Sequence, residues 1–480
     1  MNIRVVLALL CAVAGISGCA VNPVTGNSDF VMMTEQQELS LGRQSYQQVL
    51  KQYPIYQDEK LRAYVQQVGE KLASNSHRSN LQYQFFVVDS ADINAFALPG
   101  GYVFINRGLL AYLNSEAEMA AVLGHEIGHV TARHGVRQQS QAQAWNILGQ
   151  AVAIGTGVGA AGDLTNVLGN AIVTGYGRDM ELEADGLGAQ YLARSDYNPE
   201  AMIEVVEVLK TQDDFARDQA QKNGQPVKAS GYHGLFDTHP DNDTRLKQVI
   251  GPARALASGQ QLENRQAFLK HLEGLPLGDS AEQGVRRGQQ FFHAGLDFTL
   301  GIPQGWELLN RPDAVVIHTA DQQAFVALKM GEFDARLTPE EMLRKQVGDQ
   351  RLAMQESFQR DGLSGVTAVI PGQPARRVAL IVKGQQVYMF IGVVKAPGSL
   401  ESEDNQFMAV INSFRALTAK EKALAQPVRI HVVQVKPGET LESLAGSADL
   451  PGDKVARIRL LNGLYPSGEV APGSMLKLAR

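Results

Sequence analysis

Five consecutive residues constrain this chain more than any others: His125-Glu126-Ile127-Gly128-His129, which read H-E-x-x-H. Two histidines four positions apart project from one face of a helix, one turn apart, so both imidazoles can reach a single metal ion. The glutamate lies beside them, where it can take a proton from a metal-activated water. The motif therefore predicts a rigid helix that carries a catalytic zinc site.

The residues around the motif carry helix signals. Ser115 and Glu118 have the spacing of a capping box, in which two side chains satisfy backbone N–H groups at a helix start. Apolar residues then recur at helical spacing, at Met119, Val122, Leu123, Ile127 and Val130. We expect a buried helix, because metal ligands need a rigid platform.

A third zinc ligand is expected from another element, because zinc in hydrolases usually takes three protein ligands and leaves one position for water. Glu181 and Asp185 are four residues apart in a predicted helix, so they share a face. One carboxylate can bind the metal, while the other accepts the free N–H of a ligand histidine. Glu183 is expected to point elsewhere. An acidic, solvated helix face is the alternative interpretation.

The first residues have the pattern of a bacterial export signal. An apolar run at 5–16 precedes Ile16-Ser17-Gly18-Cys19, which resembles a lipobox. We expect residues 1–18 to be a signal peptide and Cys19 to carry lipid. Residue 20 is alanine rather than aspartate, which in lipoproteins generally favours the outer membrane. The prediction is a periplasmic protein held on the inner leaflet of the outer membrane; a secretory signal or a single anchor helix is the alternative.

Composition limits the remaining possibilities. The chain has 480 residues, enough for more than one domain, and its net charge of −6 argues against nucleic-acid binding. Its two cysteines both lie in the export signal, which suits an oxidising periplasm. The Gly-, Ala- and Val-rich segment 145–176 is interrupted by polar residues and barely long enough to span a membrane, so we predict helices there that pack on the domain with the metal motif or dip toward a surface.

The chain divides into a signal peptide and three predicted domains. Residues 19–260 carry the metal motif in a mainly helical domain with a small β unit, whose strands are expected at 82–88, 94–98 and 102–106. Residues 284–420 are expected to form a small α+β domain of unknown role, with a hairpin of 377–382 and 387–394 and a closing helix at 402–417. The whole is predicted to be a multidomain α+β protein.

The tail at 427–480 resembles a LysM module. The pattern predicts a βααβ fold, and such modules usually bind N-acetylglucosamine-containing glycans such as peptidoglycan. A small docking domain that keeps only this fold is an open alternative.

Three separated motifs, in order, resemble a known family. His125 to His129, Glu181-x-x-x-Asp185 and Thr238-His239-Pro240 are similar to the gluzincin metallopeptidases of the CAAX-prenyl-protease and HtpX type, and within them to a branch of periplasmic lipoproteins. The resemblance covers about residues 19–252 and implies a zincin-type fold. It implies one Zn²⁺ per chain, bound by His125, His129 and Glu181, with Asp185 as support behind the ligands.

The resemblance also assigns residues around the metal. It places His239 beside the site as a fourth, displaceable ligand or a transition-state donor, and it places Arg245 nearby. It implies that Ala95, Phe96 and Ala97 lie on an edge strand that receives substrate. The helical repeats that follow the peptidase domain in a relative of that branch are not evident here.

The expected chemistry is metal-assisted peptide hydrolysis. Glu126 is expected to take a proton from the attacking water and return it to the leaving amine, while His239 or Arg245 donates to the oxyanion. The expected substrates are misfolded or stalled envelope proteins. The alternatives are a lipid-anchored chaperone-like or peptidoglycan-associated binding factor with a mostly closed metal site, and a cell-wall hydrolase. The histidines His134, His233 and His271 have no motif support and are interpreted as exposed or structural.

Overall fold

The computed structural model describes residues 19–143, 176–222, 242–257, 261–311 and 313–480. The chain forms two compact units, of which the first contains Met1–Leu277 together with Arg429–Arg480 and the second contains Gly278–Val428. The predicted signal peptide, most of the segment 145–176, and the Thr238-His239-Pro240 motif lie outside the described residues. Within the described part of the chain, no helix is both long and apolar enough to cross a membrane.

The first unit is mainly helical, as the sequence predicts. It opens with two short antiparallel strands, β1 (Cys19–Val21) and β2 (Ser28–Phe30). In the described residues before the tail, its helices are α1 (Glu35–Gln52), α2 (Glu59–Ser74), α3 (Arg107–Tyr112), α4 (Glu116–Thr131), α5 (Arg178–Arg194), α6 (Ala201–Lys222), α7 (Asn242–Leu256) and α8 (Arg265–His271).

A three-stranded sheet lies in this unit, close to its predicted position. Its strands are β3 (Gln84–Val88), β4 (Ala95–Leu98) and β5 (Tyr102–Asn106), in the order β3-β5-β4. The central strand β5 is parallel to β3 and antiparallel to β4, so β4 forms one edge of the sheet. The turn between β4 and β5 has Gly100 at φ 84° and Gly101 at φ 96°, a backbone region in which glycine is favoured.

Helix α4 carries the H-E-x-x-H motif and is buried along its whole length. The sequence indicates one apolar stripe, but neighbouring elements enclose the helix on every side, which gives the ligands a rigid platform. Its start differs from the predicted capping box. The Ser115 hydroxyl accepts the Glu118 N–H at 3.0 Å, but the Glu118 carboxylate accepts the N–H of Asn114 instead of that of Ser115.

The second unit is an α+β domain, and the predicted hairpin and closing helix are both present. Its element bounds are β6 (Val285–Arg287), β7 (Gln290–His293), β8 (Phe298–Gly301), β9 (Trp306–Arg311), β10 (Ala314–Thr319), β11 (Ala324–Gly331), α9 (Pro339–Val347), β12 (Ala353–Arg360), β13 (Leu363–Ile370), β14 (Arg376–Lys383), β15 (Gln386–Val394), α10 (Leu400–Ser413) and α11 (Ala419–Leu424). Its large antiparallel sheet has the strand order β12-β13-β14-β15-β11-β10-β9, and a smaller sheet pairs β6, β7 and β8. Helices α9 and α10 belong to separate apolar clusters that each include residues of the large sheet.

The tail folds in the predicted βααβ order. Its elements are β16 (Ile430–Gln434), α12 (Leu441–Ala445), α13 (Lys454–Leu461) and β17 (Met475–Ala479), and the two strands pair antiparallel. The tail has a small core of its own, and it also packs on the rest of the first unit. Lys477 is fully buried there, and its Nζ donates to the carbonyls of Ala111 and Leu113 at 2.7 and 2.6 Å.

Candidate metal centre

Three buried side chains from helices α4 and α5 converge in the first unit: His125, His129 and Glu181. The Nε2 atoms of the two histidines are 3.0 Å apart. Carboxylate oxygens of Glu181 lie 3.5 Å from Nε2 of His125 and 3.6 Å from Nε2 of His129. A tetrahedral ion with bonds of about 2.0–2.1 Å holds its ligand atoms about 3.3 Å apart. The two nitrogens and one carboxylate therefore fit zinc in both chemistry and spacing.

Glycines allow α4 and α5 to approach closely enough for this site to form. A Cβ atom added at Gly124 would lie 3.4 Å from Cα of Gly188, and one added at Gly128 would lie 3.0 Å from the carbonyl oxygen of Ala184. Backbone therefore packs against backbone at two successive turns of α4. This close packing brings Glu181 on α5 within reach of both histidines.

The first histidine ligand is held from behind by a carboxylate. Nδ1 of His125 is 2.8 Å from Oδ1 of Asp185. Arg245 on α7 donates to the same carboxylate from Nε at 2.8 Å and from Nη2 at 2.7 Å. Burial alone would raise the pKa of Asp185, but the Arg245 charge and its hydrogen bonds outweigh burial and hold that pKa well below its usual range. Asp185 is therefore ionised and can fix the orientation of the His125 ring.

The same contacts change the proton affinity of His125. Burial lowers its pKa, whereas the hydrogen bonds to Asp185 and Glu181 raise it, and the balance raises the pKa of His125 to about 9. Protons consequently compete with a metal ion for this ring near neutral pH, because a histidine must lose its proton before it can bind metal.

The second histidine ligand has a different support, which the sequence interpretation missed. Nδ1 of His129 is 2.8 Å from Nδ1 of His134, a residue that is completely buried. Nε2 of His134 is 3.0 Å from the Glu183 carboxylate. His134 is therefore structurally bonded, one of the two interpretations that the sequence left open, but its partner is a metal-site histidine, which the sequence interpretation did not indicate. A third histidine five residues after the motif is the signal that could have indicated it.

Two further groups complete the immediate surroundings. Glu126 is only 1% exposed, on the same buried helix as the paired histidines. The ring of Tyr176 stacks on that of His129 with a centroid distance of 4.1 Å. Burial raises the pKa of Tyr176, and the nearby carboxylates of Glu126 and Glu181 raise it further. Glu126 is therefore within electrostatic reach of the same site.

The described residues include most of those predicted for the site. Arg245 lies at the metal centre, bound to Asp185, and its remaining nitrogen Nη1 is 3.5 Å from Glu181. The strand with Ala95, Phe96 and Ala97 is the edge strand β4. His239 and the side chain of Cys19 lie outside the described residues, so their roles stay predictions.

Comparisons with known proteins place the chain among metallopeptidases. Residues 59–253 match the model of peptidase family M48. The beta-barrel assembly-enhancing protease of Yersinia pestis is 31% identical over 244 residues, which cover 49% of this chain and 47% of that protein. Its Escherichia coli K12 counterpart is 30% identical over 250 residues, with the same coverage. The chain therefore spans about half the length of these two relatives.

A eukaryotic relative is matched over more of its length. The mitochondrial metalloendopeptidase OMA1 of Saccharomyces cerevisiae is 30% identical over 246 residues, which cover 47% of this chain and 67% of that protein. The residues matched by the family model, 59–253, include His125, His129 and Glu181.

Proposed function

The chain belongs to peptidase family M48, and from that membership we propose that it is a zinc-dependent endopeptidase which cleaves misfolded or stalled envelope proteins. The observation that carries the proposal is the convergence of His125, His129 and Glu181 within ligand distance of one another, beside Glu126 on the same buried helix. A zinc ion held there supplies Lewis acidity, which favours attack of water on a peptide carbonyl near neutral pH.

The proton transfers fall to Glu126. As the general base it takes the proton of the attacking water, and it then returns that proton to the leaving amine. Its position next to His125 in the motif keeps both steps close to the metal ligands. Burial strengthens its electrostatic interactions, because water is largely excluded there.

Nη1 is the nitrogen of Arg245 that Asp185 does not engage, and it could donate to a developing oxyanion. Asp185 engages its Nε and Nη2 atoms, so donation to substrate would come from Nη1, which lies 3.5 Å from Glu181 on the side of the metal ligands. We keep His239 as the second candidate donor or displaceable ligand, as the family resemblance implies.

The edge strand β4 supplies backbone groups for an extended substrate. The N–H of Asn106 donates to the carbonyl of Asn94 at 2.9 Å, and hydrogen-bonded pairs alternate along an antiparallel ladder. The backbone of Phe96 therefore faces β5, whereas the N–H and C=O of Ala97 face the open edge. An unfolded segment could add to the sheet there by β-augmentation. Ala97 and His129 line the same small pocket, so this edge strand and one proposed zinc ligand border a common space.

The substrate class follows from this mode of binding and from the relatives. Pairing along a strand edge requires an extended chain, so unfolded or misassembled proteins fit and folded ones do not. Two matched relatives are named as beta-barrel assembly-enhancing proteases, which points to proteins of the bacterial envelope.

We further propose that lipid on Cys19 anchors the protein to the inner leaflet of the outer membrane, with the peptidase unit in the periplasm. The lipobox-like Ile16-Ser17-Gly18-Cys19 supports this anchor. Cys19→Ser should then release the protein from the membrane fraction into the soluble periplasm. Unchanged fractionation would exclude lipid as the anchor.

The tail is proposed to be a LysM-like module with peptidoglycan as its ligand. Its βααβ order and its paired outer strands support this proposal. Co-sedimentation of the full chain with purified peptidoglycan tests it, and a full chain that stays in the supernatant contradicts it.

The test of the main proposal is zinc content together with cleavage of casein as an unfolded substrate. We expect about one zinc per purified chain, cleavage that a chelator stops, and recovery when zinc is restored. A folded globular protein serves as the control substrate and should remain intact. Zinc-loaded protein that leaves casein uncut would contradict the proposal.

A further inference from the structure

A second series of polar contacts leads away from the metal centre, and it starts at His129 rather than at His125. It runs from Nδ1 of His129 to Nδ1 of His134 at 2.8 Å, and from Nε2 of His134 to Oε2 of Glu183 at 3.0 Å. Nη1 of Arg137 donates to the same Oε2 at 3.0 Å. His134 is 0% exposed, so its ring has no access to solvent as an alternative partner.

The backbone adopts an uncommon conformation immediately before His134. Arg133 follows helix α4 with φ 56°, in the left-handed region that residues other than glycine rarely adopt. Its side chain is held in place, because Nε donates to the buried Glu38 carboxylate at 2.8 Å and Nη2 donates to the Met33 carbonyl at 3.3 Å. This reversal turns the chain so that the His134 ring lies against that of His129.

The position of the metal centre sets the direction of these hydrogen bonds. Nε2 of His129 faces Nε2 of His125 at 3.0 Å and Glu181 at 3.6 Å, so Nε2 is the atom that would bind a metal. A ligand nitrogen carries no proton, and the proton of a neutral ring must then be on Nδ1. Nδ1 of His129 therefore donates, and Nδ1 of His134 has to accept.

The contacts at Glu183, the last residue of this hydrogen-bond series, require the same direction. If Nδ1 of His134 accepts, the His134 proton is on Nε2, which donates to Glu183. The guanidinium of Arg137 contacts the same oxygen and favours the ionised carboxylate, which can only accept. Every donor in the series thus meets an acceptor, and the opposite direction would need a protonated Glu183 beside Arg137.

We propose that His134 and Glu183 are positioning residues that fix the proton and the ring orientation of the zinc ligand His129. They do for His129 what Asp185 does for His125, although here a neutral ring stands between the ligand and the carboxylate. The inference rests on the proposed function, because it takes His125, His129 and Glu181 as zinc ligands.

Two substitutions at position 134 separate positioning from packing. His134→Phe keeps an aromatic ring in the buried space but removes the acceptor. His134→Asn removes ring volume but places a carbonyl oxygen close to where Nδ1 was. Groups that hydrogen-bond to the non-ligating nitrogen of a ligand histidine typically contribute about 10- to 100-fold in metal affinity. We therefore expect zinc affinity to fall by that factor in His134→Phe and by less in His134→Asn. A packing role alone predicts the reverse order.

Zinc affinity, measured by competition with a chromophoric chelator on the full chain, is the readout. Thermal unfolding of the metal-free variants shows whether each one folds.

If His134→Phe does not fold, Glu183→Ala replaces it in the test, because the Glu183 side chain is 23% exposed and its removal is tolerated more easily. We expect Glu183→Ala to weaken zinc binding by about tenfold. His77→Phe is the matched control, since it removes a histidine hydrogen bond to Tyr191 away from the metal ligands and should leave zinc affinity unchanged.

The outcomes distinguish this inference from the proposed function. If the wild type binds zinc tightly and the zinc affinities of His134→Phe and Glu183→Ala are within about twofold of it, the positioning role of His134 and Glu183 is wrong and the peptidase proposal is unaffected. A wild type that binds no zinc overturns both. The positioning role is supported if His134→Phe binds zinc more weakly than His134→Asn, both bind it more weakly than the wild type, and the His77→Phe control is unchanged.

Discussion

Asp185 accepts two parallel hydrogen bonds from Arg245, at 2.8 and 2.7 Å, while the same carboxylate lies 2.8 Å from Nδ1 of His125. Both partners of this ion pair are buried, at 1% and 3% exposure. A buried carboxylate needs such pairing to stay charged. Arg245, a residue on a separate helix, is thereby connected through Asp185 to the orientation of a metal ligand.

Arg245→Lys should weaken zinc binding although it conserves the charge. Lysine cannot supply two parallel hydrogen bonds to one carboxylate, so Asp185 loses its fixed orientation. We expect zinc affinity to fall by about tenfold, and Asp185→Asn to lower it by about 10- to 100-fold. Chelator competition measures both values. Wild-type affinity in Asp185→Asn would show that the carboxylate does not support the ligand.

Gly128→Ala should disturb the metal centre from the interface between the two helices. The new methyl group would lie 3.0 Å from the Ala184 carbonyl oxygen and 3.1 Å from its Cα atom, and neither backbone atom can move without moving α5. Glu181 would shift with α5, so zinc affinity should fall by about tenfold.

The control for this variant is Gly186→Ala on α5 itself. Apart from its chain neighbours and its own helix, no atom of the described residues lies within 4 Å of the added methyl group there. It should stabilise the protein by about 0.5–1 kcal/mol, since alanine favours a helix, and zinc affinity should not change. Equal zinc affinities in the two variants would contradict the role of close helix packing.

Ala97→Pro should impair cleavage without loss of stability. The Ala97 N–H faces the open edge of the sheet, so proline removes a donor to substrate and no hydrogen bond to β5. One lost hydrogen bond of about 0.5–1.5 kcal/mol corresponds to a fall of about 2- to 10-fold in kcat/KM for casein. Ala97→Ser keeps the N–H and is the control. If Ala97→Pro cleaves as fast as Ala97→Ser, the edge does not pair with substrate.

Glu204→Gln should stabilise the protein at alkaline but not at acidic pH. Burial, reinforced by Glu118 and Glu263, raises the pKa of Glu204 from 4.5 to about 7. Below the pKa that Glu204 has in the unfolded state, its carboxyl is protonated in both the folded and the unfolded protein and does not change the free energy of unfolding. As pH rises from 4.5 through 7 the unfolded state ionises first, so the wild type loses stability over that window.

Thermal unfolding over this pH range measures the effect. The melting temperature of Glu204→Gln should match that of the wild type near pH 4.5 and exceed it above pH 7. A difference for Glu204→Gln that is equal at both ends of the range would contradict the assigned cause.

Local signals made much of the site predictable from the sequence. The serine at position 115 marks the start of α4, and the four-residue spacings of His125 with His129 and of Glu181 with Asp185 put each pair on one helix face. These spacings depend on helix geometry alone, so they can be interpreted without knowledge of the tertiary structure. The β-turn at Gly100 followed from the conformational freedom of glycine in the same way.

Features that depend on tertiary packing could not be predicted in this way. The contact of His134 with His129 requires a left-handed residue at Arg133, and arginine gives no sign of that conformation. Glu183 was correctly expected to point away from the ligand face, but its partner there lies on a distant segment. The packing of Lys477 against Ala111 joins residues far apart in the chain. No local pattern encodes contacts of this kind.

Zinc content and casein cleavage of Glu126→Gln, measured on the same preparation, test the central claim most directly. The substituted amide would keep the size of the side chain but could not take a proton, so the variant should bind about one zinc per chain and lose nearly all cleavage. Glu181→Gln, which removes a ligand charge, should weaken zinc binding and cleavage together. Wild-type cleavage by zinc-loaded Glu126→Gln would contradict the account.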